Sequence, residues 1–138
     1  AMTRPTVSPL LRFALRLDAV ASFATGLALT LFFTPLATLF PLPATLLLGA
    51  GLFCIGYALV IGTMSRKARL PGWAVWAVIV GNFAWALECA LLAFGDFAEP
   101  TYVGKAFLVL QAAAVFVFAE LQWFGLRRSG AAAKPIAA

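Results

Sequence analysis

Apolar positions in this chain gather into four long stretches, each near the ~20 residues a helix needs to cross bilayer hydrocarbon. The first runs roughly from Leu11 to Phe33 and closes at Thr34-Pro35. The second runs from about Pro43, a residue suited to a first helical turn, to Thr63. The third opens at Pro71-Gly72 and continues to about Gly95, and the fourth runs from about Tyr102 to Leu126. With connections this short, the pattern predicts an all-α polytopic membrane protein, its four transmembrane helices in an up-down-up-down bundle with the first and fourth adjacent. Residues 1–128 are expected to form this domain. Residues 129–138, "SGAAAKPIAA", are expected to be a disordered cytoplasmic tail. The basic start and apolar core of the first stretch also fit a signal peptide. Asp18 interrupts that core and no small-residue cleavage site follows before the prolines, so we read it as a retained helix.

Composition agrees with the pattern. The chain is 64% hydrophobic and 11% charged, with a mean hydropathy of +1.01, whereas soluble domains run near half apolar and a quarter charged. Four spans use most of the 138 residues and leave no room for a soluble catalytic domain. The net charge of +5 raises nucleic acid as a partner, but the placement of the charge removes it. Arg4, Arg12, Arg16, Arg66, Lys67, Arg69, Arg127, Arg128 and Lys134 all fall on one side of the four spans, and Lys105 alone, beside Asp96 and Glu99, falls on the other. This asymmetry sets topology, with both termini cytoplasmic, and suits anionic headgroups rather than nucleic acid. Trp73, Trp76 and Trp123 near the basic side, and Phe97 and Tyr102 near the other, form the expected interfacial belts. Histidine is absent and the two cysteines, Cys54 and Cys89, lie singly in apolar runs, so no metal or other cofactor is expected.

Small residues recur every fourth position in two places. Ala50, Cys54, Ala58 and Gly62 make a flat stripe on the second span, and Asp18, Ser22, Gly26 and Thr30 make a small, polar face on the first. Such stripes allow close approach in lipid, either to a helix of the same chain or to a second copy.

The polar residues within the spans are the candidate chemistry. Glu88, in "GNFAWALECALLAF", lies about 12 Å inside Asp96, and Gln111 and Thr25 lie about 13 Å inside Tyr102 and Thr34. These three share one depth, which predicts a neutral Glu88 hydrogen-bonded to Gln111 or Thr25. Asn82 falls near the midplane with Tyr57 and Ser22 as expected company. Glu88, Gln111, Asn82, Thr25 and Tyr57 are thus the candidate ligand or proton site. Nearer the cytoplasm, Arg16, Asp18 and Glu120, joined by Arg12 and Gln122, are expected to form a structural ionic cluster between the first and fourth spans.

"LRLDAVASFATGLAL", "GAGLFCIGYAL" and "GNFAWALECALLAF" resemble a loose group of uncharacterised small four-span bacterial inner-membrane proteins. The resemblance implies a multi-pass protein of the bacterial inner membrane and carries no functional residues with it. Short four-helix architecture is also similar to the small multidrug resistance transporters, whose hallmark is a glutamate in the first helix. Here the first helix holds Asp18 and the membrane glutamate, Glu88, is in the third. The leading expectation is a non-enzymatic membrane protein that binds a partner membrane protein, a second copy, a lipid or another apolar ligand. The alternative is a proton-coupled transporter using Glu88 or Asp18. The topology has a direct test: reporters fused after Met64 and after Asp96 are expected to report cytoplasm and periplasm respectively, and the reverse pattern contradicts it.

Overall fold

The computed structural model describes residues 6–96 and 98–133, with side chains through Ser129. Phe97, Arg4 and Lys134, used above to argue orientation, lie outside the described residues. Five helices follow in order: α1 Pro9–Leu31, α2 Phe33–Leu39, α3 Ala44–Ser65, α4 Gly72–Phe94 and α5 Tyr102–Ala133. α1, α3, α4 and α5 are long and apolar enough to cross a membrane. The protein is an all-α, multi-pass membrane bundle, and three of its spans lie within about two residues of their expected limits.

Local chemistry sets the helix ends. Ser8 caps α1 through a 3.1 Å bond from the Leu11 amide, and Pro9 occupies the first turn, where its missing N–H costs nothing. The expected outer loop "TPLATLFPLP" is partly helical: α2 accepts Pro35 within its first turn. The fourth span exceeds its expected end. α5 continues to Ala133, and the hydroxyl of buried Ser129 accepts a 2.9 Å bond from the Ser8 amide. Residues 129–133, expected to lack structure, are therefore helical, because the amino terminus of α1 supplies a partner for Ser129. Residues 134–138 lie outside the described residues.

α1 is the central helix, packed along α3 on one side and α5 on the other, while α4 packs on α5. The predicted adjacency of the first and fourth spans is therefore present. The backbones of α3 and α4 scarcely approach each other compared with the other neighbouring spans, so the bundle is open along that seam. The small face of α1 meets α3 within the chain, and the tightest contact is at Gly51, one residue off the expected stripe of Ala50, Cys54, Ala58 and Gly62. A Cβ added at Gly26 would stand 2.8 Å from the Gly51 carbonyl oxygen, and one added at Gly51 would stand 2.8 Å from the Thr30 amide. Cys54 and Ala58, on the same side of α3, are buried. α1 and α5 touch as closely where a Cβ on Gly125 would meet the Leu11 Cα at 2.6 Å.

Both ends of the bundle are tied. At the basic end Arg12 donates from Nη1 to the Ser65 carbonyl at 2.5 Å, meeting an orphan carbonyl in the last turn of α3. At the far end Thr101 donates to the Leu39 carbonyl at 2.9 Å, and Phe40 stacks on Phe107 at 4.7 Å. Two apolar clusters fill the interior. One, nearer the basic end, contains Leu11, Leu15, Ile61, Val75, Ile79 and Ala119. The other contains Leu29, Phe40, Leu47, Cys89, Ala93 and Leu108. A polar layer separates them.

The glycine contact generates a prediction. Gly51→Ala forces the Thr30 backbone away and is expected to destabilise the protein by about 1–3 kcal/mol. Gly49→Ala, whose new methyl meets nothing within 4 Å, should be neutral. Thermal unfolding of both variants in one detergent checks the pair.

Candidate functional site

Asp18 is the centre of the polar layer. It is fully buried, at 0% exposure, and lies ten residues into α1, since that helix begins at Pro9. Four donors converge on its carboxylate. Oδ1 accepts from Ser22 Oγ at 3.1 Å. Oδ2 accepts from Tyr57 Oη at 2.9 Å, Asn82 Nδ2 at 2.9 Å and Gln122 Nε2 at 2.7 Å. Ser22 belongs to α1, Tyr57 to α3, Asn82 to α4 and Gln122 to α5, so one carboxylate is bonded from all four spans. Hydrogen bonds to charged groups contribute about 1.5–3 kcal/mol each in soluble proteins, and less where the unfolded chain finds other partners in the membrane. Even at the lower values, four of them outweigh any single apolar contact in this layer. Asn82 also donates to Gln122 Oε1 at 2.9 Å, which closes the network on the α4–α5 side.

This arrangement corrects the expected ionic cluster. Arg16 and Glu120 are both exposed, and the hydrogen-bond partners of Asp18 are neutral amides and hydroxyls. The reason is register: Arg12 and Arg16 lie inside α1, Arg12 reaching to the end of α3, so the depth of Asp18 is set from Pro9 and not from Arg16. Gln122, assigned to the same cluster, does bond to Asp18.

The predicted outer layer is met in part. Gln111 Nε2 donates to Thr25 Oγ1 at 3.4 Å, a long contact at the expected depth, while Gln111 Oε1 accepts from Trp85 Nε1 at 3.4 Å. Glu88 does not join them. Its side chain is exposed on α4, at the rim of a groove lined by Leu46, Leu92 and Phe107, because the buried face of that turn is taken by Cys89. The expected bond from Glu88 to Gln111 is therefore absent, and Gln111 is engaged by Trp85 and Thr25. Asn82 and Tyr57 stand together as expected, with Ser22 beside them, but around Asp18.

Above the network the α3/α4 seam holds a cleft of about 70 Å³, room for a few water-sized groups or a short run of methylenes. Every span contributes to its wall. Ser22 and Thr25 come from α1, Cys54 and Tyr57 from α3, Gly81, Asn82 and Trp85 from α4, and Gln111, Ala114 and Phe118 from α5. Phe53 stacks between Tyr57 and Trp85, with centroids 6.1 Å from each, and closes the side facing lipid. Phe53 and Trp85 were not singled out from the sequence. Trp85 alone of the four tryptophans sits away from the ends of its span, and that position is the signal that was available. Among the described residues no group of three or more Cys, Asp or Glu side chains is placed to hold a metal. No family model, curated protein or solved structure matches this chain.

Asp18→Leu removes the acceptor shared by buried Asn82 and Gln122 and half-buried Ser22 and Tyr57, and is expected to destabilise the protein by about 2–4 kcal/mol. Paired with Gln122→Leu it should cost less than the sum of the two single changes, because both break the same bond. Glu120→Ala is expected to be neutral, since that side chain is exposed. Denaturation in detergent, run as a double-mutant cycle, measures all three.

Proposed function

We propose that this protein is a non-catalytic membrane-embedded binding protein whose α3/α4 cleft takes an amphipathic ligand from the bilayer. The observation that carries this reading is the cleft itself: a recess between two spans, closed by one aromatic ring, apolar over most of its wall and polar at its floor. A recess of this size holds the polar end of such a ligand and a few of its methylenes, fixed by a few placed polar groups, while the rest of the chain stays in lipid. Phe53, 60% exposed and held by stacking, is the residue whose rotation admits the ligand laterally from lipid. The polar groups at the floor are held by Asp18 from behind, without Asp18 lining the cleft. A binding role needs such rigidity and no nucleophile or transferable group. The proton-carrying alternative has less support, because Glu88 stands outside the network and Asp18 is enclosed by its four donors.

Gly81 supplies the test. A Cβ there meets nothing within 4 Å, and the residue lines the cleft. Gly81→Leu should fill the recess while leaving the unfolding temperature within a few degrees of the parent. Native mass spectrometry of the gently released protein should show a bound amphiphile on the parent and none on Gly81→Leu. An identical adduct on both proteins contradicts the assignment of the cleft.

A further inference from the structure

We infer that the cleft selects an amphiphile whose polar group is a hydrogen-bond donor, a hydroxyl on an apolar chain, and discriminates against groups that only accept. The inference rests on the reading of the cleft as a ligand site and follows from where the hydrogens of its floor point.

A carboxylate only accepts hydrogen bonds. Asp18 therefore draws toward itself the hydrogens of every polar group around it. Ser22 has one hydroxyl hydrogen, and it is directed to Oδ1 at 3.1 Å. Tyr57 has one, placed between Asp18 Oδ2 at 2.9 Å and Asn82 Oδ1 at 3.4 Å; the shorter, charge-assisted bond takes it. Both Asn82 amide hydrogens are committed, one to Asp18 and one to Gln122 Oε1. The Asn82 orientation is fixed by these partners, since the reverse would set its carbonyl oxygen against a carboxylate. Ser22 Oγ, Tyr57 Oη and Asn82 Oδ1 are left with lone pairs and no further hydrogens to give, and all three residues line the cleft. Asp18 thus polarises the floor from behind into a set of acceptors. A ligand hydroxyl finds partners there. An ether or ketone oxygen at the floor meets lone pairs and leaves it unsatisfied, the situation in which polar sites discriminate most. The hydrogens left on Thr25 and Gln111 belong to the outer layer, about one helical turn from Ser22.

The isomers 1-tetradecanol and methyl tridecyl ether differ in the donor and share formula and length. Their binding to the protein in nanodiscs of neutral lipid, read by competition against radiolabelled 1-tetradecanol, tests the inference. The parent should prefer the alcohol by about tenfold, the scale of one good hydrogen bond. Tyr57→Phe removes one acceptor without filling the cleft and should lower that preference, leaving ether binding unchanged. Asp18→Asn brings donors into the network, frees hydrogens to turn toward the cleft, and should take the ratio close to one. Equal binding of the two isomers to the parent overturns donor selection while leaving the cleft as a binding site. Binding of neither, or binding unaffected by Gly81→Leu, overturns the cleft reading and the inference with it.

Discussion

The Asp18 carboxylate, bonded by a hydroxyl of its own helix and by one side chain from each of the other three spans, is the constraint on which the rest of the bundle depends. In lipid the apolar surfaces of the spans gain little by leaving hydrocarbon for one another, so close packing and polar bonds decide which helices meet. Here the two work at different levels. Gly26 against Gly51 brings α1 to α3, and Gly125 against Leu11 brings α1 to α5. Neither contact reaches α4 from α1 or α3. The network does: Asn82 and Tyr57 bond to one oxygen atom from opposite sides of the open seam. The carboxylate therefore holds α3 and α4 in register where their backbones scarcely approach each other.

That division explains the cleft. α3 and α4 are joined covalently by the short turn through residues 66–71 at the basic end, and by polar bonds at mid-depth. Beyond that depth the seam is lined by Phe53, Trp85, Gln111 and then a second apolar groove past Cys89 and Leu108. A tightly packed pair of helices there would leave no recess. A pair without the network would have nothing to fix their separation. Structure and proposed binding share one cause, the burial of a single acceptor among donors that outnumber it.

The four spans, their adjacency across α1 and α5, and the small-residue faces were legible in the sequence because hydropathy, loop length and four-residue spacing each act locally. Asn82 with Tyr57 and Ser22 was legible from depth alone. Asp18 was expected beside Arg16, but two residues turn a helix by about 200°, so Arg16 is exposed where Asp18 is buried. Glu88 was misplaced because depth says nothing of azimuth: one residue separates it from buried Cys89, and that 100° turn decides between the interior and lipid. The opening between α3 and α4 left no local mark, since it follows from which pairs of helices approach closely and not from any residue by itself.

The chain contains one asparagine, Asn82, and two aspartates, of which Asp96 lies beyond the far end of α4. Protein labelled with ¹⁵N in the asparagine side chain and ¹³C in the aspartate carboxyl thus carries a nearly isolated spin pair across the α1–α4 gap. A dipolar recoupling measurement by solid-state NMR in lipid bilayers reads their separation directly. The 2.9 Å bond from Asn82 Nδ2 to Asp18 Oδ2 requires strong ¹³C–¹⁵N dephasing of one of the two labelled carboxyls, retained in Asp96→Ala. Dephasing that is absent, or that disappears with Asp96→Ala, would show that the carboxylate does not join the spans.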